Sequence, residues 1–152
     1  MSAIHSRLRR RKLTVAAAES CTGGLLAAVL TAHGGSSEFF KGGGVVYSNE
    51  AKTILADVAP NLIHGHGAVS SVVAGALARG ARERLGAKIG LGVTGIAGPG
   101  GATPGKKVRL TYVAVDSDEH SAVKKYEWPY DREGNRLASV GAALDLLEKA
   151  IA

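Results

Sequence analysis

The chain contains a single cysteine, Cys21, in 152 residues. An internal disulfide is therefore excluded, and the expected compartment is a reducing cytoplasm. Aromatic residues make up only 5% of the sequence, so the core must be built from Ala, Val, Leu and Ile. Gly, Ser and charged residues interrupt every long apolar run, which argues against a membrane span. A basic N-terminus is present, but no apolar segment of signal-peptide shape follows it. Five histidines occur, yet none sits at a strand end where a serine–histidine pair would need it. His64 and His66 form an isolated H-x-H with no acidic or thiol partners nearby, a weak pattern for metal. No metal and no cofactor are expected.

Basic residues outnumber acidic ones, giving a formal charge of +6. Part of the excess is local, in Arg7, Arg9, Arg10, Arg11 and Lys12. Residues 1–12 read as a basic N-terminal helix or arm with arginines on its outer face. No aromatic residue interleaves with them, so nucleic acid is an unlikely partner. The same excess suits a small anionic substrate such as a nucleotide.

Glycine is plentiful, with 21 residues clustered at element junctions rather than spread as low-complexity sequence. The stretch Leu13–Leu26, LTVAAAESCTGGLL, organises the rest. Its apolar half reads as a buried strand, Leu13–Ala18. A sharp turn follows through Glu19, Ser20, Cys21, Thr22, Gly23 and Gly24. A helix then runs over Leu25–Ala32, apolar nearly all round and expected to be buried. Ser20 thus stands near a helix N-terminus, where unpaired N–H groups and the positive end of the dipole favour an anion or a developing oxyanion. We read Ser20 as a nucleophile and the backbone from Thr22 to Gly24 as its oxyanion site. Cys21 reads as packing, with the nucleophile role as the lesser alternative.

Further along, Val45–Tyr47 reads as a short strand. Ser48 is a helix cap, and the helix ends near Ala56, before Pro60. Residues His64 to Ser70 read as a Gly-rich loop. Ser70 caps a helix that carries Val72, Val73, Ala76, Leu77, Ala81 and Leu85 and closes at Gly86. Ile89–Val93 has the continuous apolar character of a central strand. It enters the glycine-rich loop Thr94–Gly101. Val108–Val115 and Val123–Trp128 form a hairpin. Asp131 caps a last helix with an apolar stripe of Leu137, Val140, Leu144, Leu147 and Ile151. Strands alternating with helices predict an α/β three-layer sandwich on a mixed, mainly parallel sheet with one antiparallel hairpin near the C-terminus. One domain over residues 1–152 accounts for the length.

A serine nucleophile needs a base. Lys52 stands in the first turn of a helix, where the dipole and burial would lower its pKa, and Tyr47 ends the preceding strand. Spacing alone leaves the plain alternatives open, a surface lysine and a packing tyrosine. The loop Thr94–Gly101 could form an anion nest or be only a tight crossover. It lacks the Gly-Lys-Ser/Thr of a P-loop, and no helix opens after it as a dinucleotide fingerprint requires.

Four motifs in order resemble the CinA C-terminal domain family, whose stand-alone members include nicotinamide-nucleotide amidases. They are Ala18-Glu-Ser-Cys-Thr-Gly-Gly24, Gly44-Val-Val-Tyr-Ser-Asn-Glu-Ala-Lys52, His66-Gly-Ala-Val-Ser70 and Thr94-Gly-Ile-Ala-Gly-Pro-Gly-Gly101. The likeness runs from about residue 13 to the C-terminus. The larger first domain of full-length members has no counterpart in it. The resemblance implies metal-free hydrolysis of the carboxamide of nicotinamide mononucleotide to the nicotinate nucleotide and ammonia. It matches Ser20 to the nucleophile, Tyr47 and Lys52 to its activators, and Thr94 and Gly95 to the pocket wall. It places Arg132 and Arg136 where a nucleotide phosphate would be held. It also supports a homo-oligomer, with a dimer favoured. One departure stands out. Where the family reads Lys-Pro-Val-Gly-Thr-Val, this chain has Lys106-Lys-Val-Arg109-Leu110-Thr111. Arg109 and Leu110 motivate an alternative, a non-catalytic nucleotide-binding or interaction module with a degenerate pocket.

Overall fold

The computed structural model describes residues 1–152. In chain order the elements are α1 (Ser2–Arg10), β1 (Val15–Glu19), α2 (Leu25–Leu30), a single 3-10 turn (Ser36–Glu38), β2 (Phe40–Val45), α3 (Asn49–Ala56), α4 (Pro60–His66), α5 (Ser71–Leu85), β3 (Ile89–Gly95), β4 (Leu110–Ser117), β5 (Ser121–Glu127) and α6 (Arg132–Ala150). The sheet order is β2-β1-β3-β4-β5. β2, β1 and β3 pair in parallel, while β4 is antiparallel to both of its neighbours. β4 is thus the one strand running against the other four, and the mixed, mainly parallel α/β sheet is as expected.

Strand side chains alternate between faces, and this separates the core into two layers. Val15 and Ala17 of β1 join Ile89, Leu91 and Val93 of β3 and Val113 and Val115 of β4 on one face, packed against α1, α2 and α6. Ala16 and Ala18 face the other way, toward Val46, Ile63, Val73 and Leu77. On that second face β3 contributes Gly90 and Gly92. A Cβ on Gly90 would collide with the Ala78 carbonyl, and one on Gly92 with the Ala74 carbonyl. The alternation Ile-Gly-Leu-Gly-Val therefore lets the backbone of α5 lie directly on the sheet.

Three caps form as expected. The side chain of Ser48 accepts from Ala51 N, that of Ser70 from Val73 N, and that of Asp131 from Gly134 N. Gly86 ends α5 at φ 62°. Four expectations need correction. The second strand is Phe40–Val45, not Val45–Tyr47. Parallel pairing with β1 satisfies the backbone of Gly42–Gly44, and that ladder outweighs the poor strand propensity of glycine. The chain does not loop after Pro60. Pro60 opens α4, which carries His64 and His66, because proline suits the first helical position as well as it breaks later ones. α2 is shorter than expected, and only Leu26 and Leu30 are buried on it. Along α6, Val140, Leu147 and Ile151 are buried but Leu137 is exposed. The buried face there runs instead through Asn135 and Ser139.

Candidate active site

The geometry starts at the C-terminal end of β1. Ser20 N donates to Val93 O at 2.9 Å, which extends the β1–β3 ladder by one residue before the turn. The Glu19 carboxylate is buried and folds over the entrance of α2. It accepts from Thr22 Oγ1 at 2.7 Å, Leu26 N at 2.8 Å and Ala27 N at 3.0 Å. This carboxylate complements the dipole and fills the open donors of the helix. The α2 N-terminus is consequently occupied from inside the chain. Gly23 N is also used, donating to Ser20 O at 3.0 Å. Thr22, Gly23 and Gly24 shape the turn and do not line the cavity at Ser20. Of the turn, Ser20 and Cys21 line that cavity, and Cys21 N donates to no backbone carbonyl.

The opposite wall comes from the β2–α3 connection. Once β2 ends at Val45, the carbonyls of Val46, Tyr47 and Ser48 leave the sheet and converge on Lys52. Its Nζ lies 2.9 Å from Val46 O, 3.1 Å from Tyr47 O and 3.3 Å from Ser20 Oγ. Lys52 is only 2% exposed. Burial pushes its pKa below the ordinary lysine value, with a small opposing influence from Cys21. A neutral amine in this place has two N–H groups for the Val46 and Tyr47 carbonyls and a lone pair for the Ser20 hydroxyl. Sequence reasoning brought Ser20 and Lys52 to one site, and the structure places them in contact.

Tyr47 contributes differently. Its carbonyl accepts from Lys52, while its phenol is largely exposed and lies 3.5 Å from Arg132 Nη2. Thr94 is buried, donates to Ala68 O at 2.8 Å and lines the cavity beside Gly95. Arg132 lines it as well, and donates to Gly98 O at 2.8 Å. Arg136 does not. It is turned to Cys21 O at 3.2 Å and Thr22 O at 3.1 Å. The thiol of Cys21 is buried and its pKa is pushed up to about 11, chiefly by desolvation, a state that suits packing rather than attack.

The cavity at Ser20 has a volume of about 240 Å3 and is closed on the far side by the glycine loop from Gly95 to Gly101. A wider cleft of about 620 Å3 opens next to it between α3 and α4 and shares Asn49 and Ala68 with it. The wider cleft lacks the serine and the amine, which both line the smaller one. Asn49, Glu19 and Asn135 are contributors that sequence reasoning missed. Arg109 is exposed and does not line the cavity, and Leu110 is buried in the fold. The substitutions that motivated a degenerate pocket thus lie outside it. Arg109 instead occupies a left-handed backbone position at φ 74°, which explains why a glycine suits that place.

Comparison with known proteins supports the same grouping. The chain is 51% identical over 144 residues to a CinA-like protein of Acidobacterium capsulatum, covering 95% of this chain and 35% of that protein. A CinA-like protein of Koribacter versatilis gives the same identity and coverage. The chain thus spans about a third of the length of the curated relatives it matches. Among solved structures, a CinA superfamily protein from Escherichia coli superposes with a TM-score of 0.94 at 31% identity, covering 98% of this chain and 87% of that one. A competence/damage inducible protein from Agrobacterium tumefaciens gives 0.90 at 37% identity, covering 99% and 92%. The model of the CinA C-terminal domain matches residues 1–151, and the chain belongs to that family.

Proposed function

We propose that the chain is an amidohydrolase that deamidates nicotinamide mononucleotide. The observation that carries the reading is the buried Lys52 amine, 3.3 Å from Ser20 Oγ and surrounded by the carbonyls of Val46, Tyr47 and Ser48. Lys52 accepts the Ser20 proton as Oγ bonds to the carboxamide carbon. The Cys21 N–H receives the tetrahedral oxyanion, a contribution of about 3–4 kcal/mol for such a donor. The Lys52 ammonium returns the proton to the leaving nitrogen, the C–N bond breaks and ammonia departs. Water then attacks the acyl-enzyme, gives its proton to Lys52, and releases the nicotinate nucleotide with Ser20 restored. Arg132, exposed at the rim beside the Tyr47 phenol, is the cation available to the substrate phosphate.

The test is ammonia release from nicotinamide mononucleotide by the wild type and by Ser20→Ala, Lys52→Met and Cys21→Ala. Loss in the first two with retention in the third is expected. Full activity in Ser20→Ala would sink the mechanism, and loss confined to Cys21→Ala would move the nucleophile by one residue. The reading also includes a cytoplasmic homodimer. Leu55 and Leu85, both about half exposed, line a small cavity of about 140 Å3 beside the edge strand β2. Sedimentation at micromolar concentration tests the dimer.

A further inference from the structure

The N-terminal turns of α6 direct three polar side chains at the site. Arg132, Asn135 and Arg136 stand at i, i+3 and i+4, hence on one face of the helix. Arg132 Nη1 donates to Gly98 O at 2.8 Å and Asn135 Nδ2 to Ala97 O at 2.8 Å. Arg136 Nε and Nη2 donate to Cys21 O and Thr22 O at 3.2 and 3.1 Å. Apart from the Tyr47 phenol, 3.5 Å from Arg132 Nη2, every acceptor is a backbone carbonyl. Two belong to the turn that carries Ser20, and two to the glycine loop on the other side of the cavity. One helix face therefore grips both halves of the site, Cys21–Thr22 and Ala97–Gly98, which lie far apart in sequence.

The grip has a directional consequence. In a trans peptide the C=O and the next N–H point to opposite sides. A Cys21 carbonyl held on Arg136 turns the Thr22 N–H away from α6. An Ala97 carbonyl held on Asn135 turns the Gly98 N–H away from α6, and Gly98 lines the cavity. Neither Thr22 N nor Gly98 N makes a hydrogen bond within the chain. Asn135 is itself fixed. It is 1% exposed, its Oδ1 accepts from Tyr130 N at 3.2 Å, and its carbonyl accepts from Ser139 Oγ at 2.7 Å. The Ser139 hydroxyl in turn accepts from Trp128 Nε1 at 3.0 Å. Arg136 is half-buried, stays outside the cavity and presses on the turn closely. A Cβ on Gly23 would stand 3.3 Å from its Nη2.

We infer that Asn135 and Arg136 are positioning residues that set the peptide planes on the two sides of Ser20, and that Arg132 alone among the three meets the substrate. The inference rests on the amidohydrolase reading of Ser20. It reassigns Arg136, for which the sequence suggested a phosphate contact. Two adjacent carbonyls at similar distance need the planar fork of a guanidinium, and a lysine ammonium supplies a single charged point instead.

The experiment compares Arg136→Ala, Arg136→Lys, Asn135→Ala and Arg132→Ala by three readouts. These are kcat and KM for ammonia release from nicotinamide mononucleotide, the rate of Ser20 labelling by a fluorophosphonate, and the melting temperature. Arg136→Ala and Asn135→Ala should lower kcat and the labelling rate together by about 10- to 100-fold, the scale of a small misplacement of reacting groups. KM should stay within about twofold, as when an interaction matters only to the transition state. Millimolar guanidinium chloride should restore part of the Arg136→Ala labelling rate, and Arg136→Lys should stay low. Arg132→Ala, which also frees Gly98 O, should raise KM and lower the labelling rate less than Asn135→Ala does. Should Arg136→Ala not fold, Gly23→Ala perturbs the same contact from the turn and should lower labelling likewise. A raised KM in Arg136→Ala with unchanged kcat and labelling overturns the inference in favour of a substrate ligand. Unchanged values throughout overturn it outright. A wild type that labels at Ser20 but releases no ammonia refutes the nucleotide reading alone, and the labelling rates still decide the role of Arg136. A wild type inert to both reagents overturns both.

Discussion

Lys52 holds its amine where charge is disfavoured, and this gives the site a pH signature. Only the unprotonated amine can take the Ser20 proton. The rate should therefore rise with pH through a pKa below the ordinary lysine value of 10.5, because burial lowers it. Lys52→Arg, which cannot deprotonate in this range, should be inactive across the profile. Stability follows the same sign. The folded chain binds fewer protons at Lys52 than the unfolded chain, so this residue opposes folding below its lowered pKa, and the penalty fades as pH climbs toward 10.5. Urea denaturation at several alkaline pH values should show that slope in the wild type and lose it in Lys52→Met. Arg109 yields a prediction of the opposite kind. It is exposed and left-handed at φ 74°, a conformation unfavourable for a residue with a Cβ. Arg109→Gly should raise stability by about 0.5–1 kcal/mol in urea titrations, with ammonia release unchanged. At this scale much of the site could be read in advance. The pairing of Ser20 with Lys52 was visible as a hydroxyl after one strand and an amine on a helix after another. Less visible was that Tyr47 turns its carbonyl to Lys52 and its phenol to Arg132, since residue type says nothing about which atom of a residue is used.

Elements were legible where side-chain pattern and backbone need agree, and misread where they compete. Ser48, Ser70 and Asp131 cap helices because their oxygens meet open N–H groups. Gly42–Gly44 form a strand against their propensity because β1 offers a complete ladder, a tertiary fact with no local sign. Pro60 was ambiguous by nature, since proline both ends and begins helices. The glycines of β3 were read simply as part of an apolar run, yet they set how closely α5 approaches. Gly90→Ala would drive a methyl into the Ala78 carbonyl of α5. Overpacking at such a backbone contact should cost about 3 kcal/mol, seen as a lowered urea midpoint. Glu19 shows the same dependence on context. In the sequence it was only one residue of the turn, yet its carboxylate holds Thr22, Leu26 and Ala27. Glu19→Ala leaves buried donors of α2 open and should lose about 2–3 kcal/mol, with activity reduced through the displaced turn.

At the scale of the whole molecule, the candidate site is built from segments spread along nearly the entire chain. The turn after β1 supplies Ser20, α3 supplies Lys52, the loop after β3 supplies the glycines, and α6 holds two of these pieces by their carbonyls. α6 also carries Val140, Ala143, Leu146 and Leu147 into the larger core, where they pack with β1, β3, β4 and α1. The contacts that fix the site and the contacts that close the core thus leave the same helix a few residues apart. In a urea titration, the loss of ammonia release and the loss of helical circular dichroism should coincide in one transition for the wild type. Asn135→Ala should separate the two, lowering activity before urea is added while moving the unfolding midpoint much less. A wild type whose activity disappears well before its circular dichroism changes would show instead that the glycine loop or the Ser20 turn opens as a unit of low local stability, and that α6 does not bind the site to the core.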